Sequence, residues 1–406
     1  MLLTRLFREF FDSEKTGGII LLFCTAVSLV LANTAFSESY SGFWHSYADL
    51  SFAGLNLKYS VEHWINDGLM AVFFLLVGLE IERELYVGEL SELSNAIMPI
   101  AAAAGGMLIP AGIHYLFNAG TLTQSGFGIP MATDIAFALG MLALVGNRVP
   151  YSLKVFLTAL AIIDDLGAII IIAIFYNTGI VWTYLLIAAG IFGLLLLLNR
   201  LRVHKLIFYL IPGVALWYCM LQSGVHATIA GVLLAFAIPF TKDDDSNPSY
   251  KLQHFLHKPV AFFIIPLFAL ANTGISLSSG WLTEMKSRNS LGIITGLLIG
   301  KPAGILLFSW LATKITGIVL PKHVQWRHLL GAGILAGIGF TMSIFIANLA
   351  FPDQGLIQFS KIAVLIASLS ATILGLAILF GAARIDEEKE ASGEKIEVPP
   401  QAQKQL

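Results

Sequence analysis

Twelve apolar runs follow one another along the chain, and that succession constrains the fold more than any other feature. They lie at 17–33, 61–86, 96–117, 127–146, 151–176, 181–199, 206–221, 224–240, 255–274, 290–312, 329–350 and 358–381. Runs of this size match a hydrocarbon core about 30 Å thick when helical. Backbone groups in lipid must bond within their own segment, so helices are the expected form. Composition agrees. The chain is 57% hydrophobic and 12% charged, against about 25% charged in a soluble domain, so it cannot coat a water-facing surface. The expected fold is an all-α polytopic membrane protein.

The connections are short and leave no room for a second domain, so 1–383 is expected to be one transmembrane domain. Residues 384–406, with Asp386, Glu387, Glu388, Lys389 and Glu390 and then Pro399 and Pro400, are expected to be a disordered cytoplasmic tail. Arg5, Arg8 and Lys15 precede the first apolar run without a convincing small-residue cleavage site, which predicts an uncleaved first span. Cys24 and Cys219 lie inside apolar runs and imply no disulfide framework. A formal net charge of −2 gives no reason to expect nucleic acid as a partner; the lipid bilayer is the expected surrounding.

Basic residues orient the chain. With both termini cytoplasmic, 19 of the 24 lysines and arginines fall on the inside and four, Lys58, Lys286, Arg288 and Lys361, on the outside. The last, Lys301, lies within a span. An ionisable group at mid-bilayer costs at least ~2.5–3.5 kcal/mol on insertion scales, yet Asp134, Asp164, Asp165 and Lys301 all sit deep in apolar runs. Asp164 and Asp165 stand roughly 20 Å along a helix of about 40 Å, and Lys301 is near the middle of its own run. Mutual neutralisation as structural pairs fails on arithmetic, because three carboxylates face one lysine. The excess negative charge must take protons or bind a cation, as a carrier of small cations requires. Neighbouring carboxylates also titrate as a coupled pair. Adjacent helical residues point about 100° apart, so one can face Lys301 while the other faces an ion path. Hard cations such as sodium favour their oxygens.

Two runs are poor continuous helices. Gly126, Gly128 and Pro130 precede Thr133 and Asp134, and Gly331, Gly333, Gly337 and Gly339 precede Thr341 and Ser343. Small residues also permit close helix packing. Paired interruptions in corresponding places of two halves, however, mark the ion site of secondary transporters. Here they occupy spans 4 and 11, which predicts inverted repeats of spans 3–5 and 10–12 and two crossing, interrupted helices. Opposed helix-dipole ends would then meet at mid-membrane, where Asp134 and Lys301 offset their partial charges.

The stretches 64–74 (WINDGLMAVFF), 132–137 (ATDIAF), 161–167 (AIIDDLG), 223–228 (SGVHAT) and 337–343 (GIGFTMS) closely resemble the NhaA family of bacterial sodium–proton antiporters. The resemblance runs in order from about residue 10 to residue 380. It implies electrogenic export of sodium, and of lithium, in exchange for protons across the bacterial inner membrane, serving internal pH and sodium homeostasis by alternating access. By position it makes Asp164 and Asp165 the ion- and proton-binding pair and Lys301 the lysine paired with Asp164. It places Thr133 and Asp134 beside the ion. It further implies a homodimer formed through an outside hairpin, for which 45–60 is the candidate segment.

Glu80 and Glu84 share a helical face at the cytoplasmic end of span 2, with Arg83 between them. His254 and His257 lie three apart before span 9. Histidine titrates near neutrality, so these residues form a candidate acidic funnel and pH sensor, with an ordinary solvated helix end as the bland alternative. The family can place a glutamate immediately before the first histidine; this chain has Gln253, which is expected to shift or flatten the pH response. His226 is expected to serve helix packing. No enzymatic activity, resident cofactor or structural metal is expected, sodium, lithium and protons being the transported substrates. A chromophore on Lys301 is disfavoured by twelve spans and an aliphatic neighbourhood. An intramembrane protease is disfavoured by the adjacency of Asp164 and Asp165, and an organic-solute carrier by the lack of a recognisable polar pocket.

Overall fold

The computed structural model describes residues 2–51, 56–177, 179–241, 247–277 and 280–391. In chain order the main elements are α1 (Leu2–Ala32), α2 (Ser37–His45), β1 (Tyr47–Asp49), β2 (Lys58–Ser60), α3 (Val61–Tyr86), α4 (Leu93–Asn118) and a 3-10 helix, Gln124–Met131. Then come α5 (Ile135–Val145), α6 (Tyr151–Phe175), α7 (Trp182–Arg200), α8 (Ile207–Ser223), α9 (Ile229–Ala237) and α10 (Pro248–Asn272). The chain closes with α11 (Arg288–Thr316), α12 (Trp326–Ala336), α13 (Phe340–Ala350) and α14 (Gln354–Ala391). It is an all-α polytopic membrane protein.

Every expected span carries helix, but not every one is long. Among the described residues, eight helices are long and apolar enough to cross a membrane, or up to ten if two bent pairs each count once. One pair is Thr16–Ala32 with α2, bent by 114°; the other is α12 with α13, bent by 45°. The expected span 224–240 contains the nine-residue α9, only about 14 Å of helix. Gly224, left-handed at φ 81°, caps α8, and the backbone turns extended at Ile238 after α9. Those two stops shorten the run.

Three helices contain a π-helical turn, at Trp64–Leu69, Val260–Ile264 and Gly296–Gly300. The last two run directly into Ile265-Pro266 and Lys301-Pro302. A proline lacks an N–H and its ring excludes the carbonyl four residues earlier, so the preceding turn widens. Such bulges gather at functional sites, and one here adjoins Lys301.

The contacts cluster into two compact units. The first comprises Met1–Gly18, Glu89–Ala168 and Gly280–Leu406. It therefore holds both expected repeats, α4 to α6 (as far as Ala168) and α11 to α14. Helices α4 and α11 approach backbone to backbone, since a Cβ on Gly304 would overlap the carbonyl of Gly105. Close approach of small residues is the main source of helix association in lipid. Gly304→Val is therefore expected to lower stability by about 1–3 kcal/mol or more, read as a lower melting temperature in detergent. Unchanged melting would mean the two helices can part without loss.

Helix α14 runs on to Ala391 rather than ending near Arg384. Residues 384–391 of the expected disordered tail are therefore helical, and 392–406 lies outside the described residues. Asp386 is held by Arg327 and lies 2.8 Å from Nε2 of the buried His328, which anchors the extra turns.

The second unit comprises Ile19–Gly88 and Ile169–Ser279. Its strands pair antiparallel with Tyr47 opposite Ser60, Ala48 opposite Tyr59 and Asp49 opposite Lys58. The hairpin read in 45–60 is present, although the turn at 52–55 lies outside the described residues. Trp64 Nε1 donates to Ala48 O at 3.3 Å, tying the hairpin to α3.

Candidate ion site

In the first unit the two interrupted helices meet at their breaks. The 3-10 helix ends at Met131, Ala132 is extended, and α5 starts after Asp134. Gly337 to Gly339 separate α12 from α13. Bonds join the breaks: Asp134 N donates to Ile338 O at 2.7 Å, and Ser343 Oγ donates to Ile129 O at 2.7 Å. Glycine lowers helix stability by about 1 kcal/mol per residue, so both runs unwind where their carbonyls and amides can find one another.

Asp134 serves two helix starts. Its Oδ1 accepts from Phe137 N at 2.9 Å, capping α5. Its Oδ2 accepts from Thr341 N at 3.0 Å and from the Thr341 hydroxyl, at the start of α13. Helix N-termini carry partial positive charge, and one carboxylate answers both. At the opposite polarity, Lys301 Nζ donates to Met131 O, the carbonyl end of the 3-10 helix.

Lys301 is fully buried and also pairs with Asp164 Oδ2 at 2.9 Å. The same oxygen accepts from Thr133 Oγ1 at 2.7 Å, a hydroxyl 3.1 Å from Ala336 O at the end of α12. Oδ1 of Asp164 is buried and has no hydrogen-bond partner among the described residues. Asp165 is 1% exposed, and its charge reaches Lys301. The structure thus brings Thr133, Asp164, Asp165 and Lys301 into one cluster, with Asp134 on the other side of the Thr133–Asp134 peptide, bonded to Thr341. Three buried carboxylates against one ammonium leave net negative charge in low dielectric, where an uncompensated charge is strongly disfavoured. Such a cluster is chemically suited to hold a small hard cation or protons.

In the second unit, Glu80, Arg83, Glu84, Gln253 and His257 also gather. Gln253, which is buried, hydrogen-bonds the buried Glu80, on which the charges of Arg83 and Glu84 act. Arg83 Nη2 pairs with Glu84 Oε1 at 2.9 Å, and the charges of Arg83 and His254 reach half-buried His257. His254 itself is exposed, stacked on Tyr250 at 6.4 Å. His226 hydrogen-bonds the Tyr176 backbone.

Sequence reasoning missed Glu82, which is 4% exposed and accepts from Ser249 Oγ at 2.8 Å. The i, i+4 rule selected Glu80 and Glu84, and Glu82 points to another face. It also missed Thr341 as the partner of Asp134, though the hydroxyl directly after a glycine break was a usable signal. Asp67, inside one of the recognised motifs, lies 3.5 Å from His63 Nδ1, and Trp217 Nε1 donates to its carbonyl at 2.7 Å.

The family described as Na+/H+ antiporter 1 matches residues 8–379. The chain is 60% identical over 377 residues to the Na(+)/H(+) antiporter NhaA of Dechloromonas aromatica, covering 92% of this chain and 95% of that protein. It is 58% identical over 379 residues to Na(+)/H(+) antiporter NhaA 1 of Flavobacterium johnsoniae, covering 93% and 97%. With NhaA of Flavobacterium psychrophilum it shares 59% over 375 residues. On a match that spans nearly its whole length, the chain belongs to the NhaA family of Na+/H+ antiporters.

Proposed function

We propose that this protein exports sodium, and lithium, in electrogenic exchange for protons across a bacterial inner membrane, with both termini cytoplasmic. The observation that carries the reading is the buried cluster of Asp164, Asp165, Thr133 and Lys301, with its surplus of negative charge. Sodium and protons compete for it. A cation bound by Asp164 Oδ1, Asp165 and the Thr133 hydroxyl displaces protons from the carboxylates or from Lys301. Protons arriving from the outside displace the cation in turn. The interrupted helices supply backbone dipoles and a hinge for alternating access, with Asp134 and Lys301 holding the dipole ends at balance. No resident cofactor enters this cycle, and the protein acts as a carrier rather than an enzyme.

The carboxylates on α3 are proposed to gather cations on the cytoplasmic side and, with His257 and His254, to report internal pH. Activity is expected to rise as the cytoplasmic side becomes alkaline, because protonated carboxylates cannot take sodium. Gln253 leaves one titrating group fewer than a glutamate there, which makes the rise less steep. In everted vesicles, sodium should release protons increasingly from pH 6.5 to 8.5; a flat profile rejects pH activation, and no release at all rejects antiport.

The hairpin of β1 and β2 is proposed as the contact of a homodimer. Deleting 47–58 should turn the dimer into monomer in detergent, and an undiminished dimer removes the hairpin from that role.

A further inference from the structure

Helix α12 is gripped at the end away from the ion cluster by a histidine whose hydrogen bonds depend on its charge. His328 is fully buried. Its Nδ1 lies 3.2 Å from the backbone N of Gln325, and together the two residues form a capping box at the start of α12. A backbone N–H can only donate, so Nδ1 must accept, and the neutral ring carries its proton on Nε2. That nitrogen lies 2.8 Å from Asp386 Oδ2 on α14, off the N–H axis, and the other Asp386 oxygen accepts from Arg327 Nη2.

Protonating the ring at Nδ1 makes two donors face each other, and the cap is lost. The imidazolium instead gains charge attraction to Asp386, and the Arg327–Asp386–His328 cluster goes from neutral to a net positive charge. Protonation therefore exchanges a hold on the first turn of α12 for a pull toward α14. Few other charges face the ring. On α14, Arg384, Glu387 and Glu388 are exposed, with Arg384 and Glu388 paired to each other at 3.0 Å. On α11, Lys314 is exposed and Lys301 is bonded at the ion cluster; α5 carries no titratable side chain.

The far end of α12 touches the ion cluster. Ala336 O lies 3.1 Å from the Thr133 hydroxyl that donates to Asp164, and Ile338 O just beyond it accepts from Asp134 N. Eleven helical residues span about 16 Å as one unbroken helix between the cap and the Gly337–Gly339 break. We propose that His328 is a positioning residue for ion exchange: when neutral it caps α12 and holds Thr133 and Asp134 in place, and when protonated it releases that helix and disables the site. The inference rests on the pH-activated antiport proposed above and assigns part of that regulation to the cap of α12 rather than to the carboxylates of α3 alone.

Two variants and two measurements test it. His328→Gln offers an amide oxygen to Gln325 N–H and an NH2 to Asp386 without a titrating group. Asp386→Asn removes the carboxylate that attracts the imidazolium. Each is expected to keep sodium-driven proton release at pH 8.5 and to retain about fivefold more of it than wild type at pH 6.5. A merely structural role would lower activity at every pH without moving the profile. If wild type is activated by alkali and both variants follow the same profile, the inference falls while antiport stands. Hydrogen exchange of amides 325–329, compared at equal pH in the full-length protein, needs no transport. Wild type should exchange about tenfold faster than His328→Gln at pH 6 and equally at pH 8. Equal protection at both values overturns the cap switch, and a flat wild-type transport profile overturns the pH-activation reading by itself.

Discussion

Asp165→Asn is expected to abolish sodium-driven proton release from everted vesicles, a loss of about a hundredfold or more, with the protein still folded in the membrane. The amide preserves volume and one oxygen but can neither take up nor release a proton, and it contributes no charge against a cation. Asp164→Asn should lose as much activity and in addition disturb the fold. Asp164 Oδ2 takes both the Lys301 ammonium at 2.9 Å and the Thr133 hydroxyl at 2.7 Å. An asparagine would take from the buried Lys301 the carboxylate bonded to it, leaving only the charge of Asp165 to act on it, which is destabilising. A difference in melting temperature between the two variants, with both inactive, is therefore part of the expected result. Sodium-dependent proton movement surviving in Asp165→Asn would move the exchange chemistry away from this pair.

The second large effect is structural. Asp134→Ala should destabilise the protein by about 3–5 kcal/mol, because it leaves two helix N-termini and a buried hydroxyl without their acceptor. The lost bonds are those from Phe137 N, Thr341 N and the Thr341 hydroxyl. Asp134→Asn should fall between, since its amide keeps one acceptor oxygen and turns a donor toward another donor. Thermal unfolding in detergent measures both. Melting unaltered in the alanine variant would mean that the opposed helix ends are satisfied by other groups, and Asp134 would lose its role at the crossing.

Much of this was legible in one dimension. Insertion in a membrane depends on the apolar content of single runs, so the helices α3, α4, α6, α7, α10, α11 and α14 follow from composition and length. The deep charges stood out for the same reason, as local exceptions in apolar runs. The glycine and proline breaks before Thr133 and at Gly337 are local as well, whereas the hairpin in 45–60 was expected from the family resemblance.

Other features depend on which residues meet. Glu82 was passed over because its partner, Ser249, is 167 positions away. The grip of Asp386 on α12 could not be read from an acidic run that resembles a disordered tail, since its partners Arg327 and His328 stand 58 or more residues away. The nine-residue α9 fell short of its apolar run because a left-handed glycine and an extended Ile238 bound it. Hydropathy registers partition into lipid and is blind to backbone direction. Periodicity likewise names the face a side chain takes on its own helix, whereas the partner on that face is set by packing between distant segments.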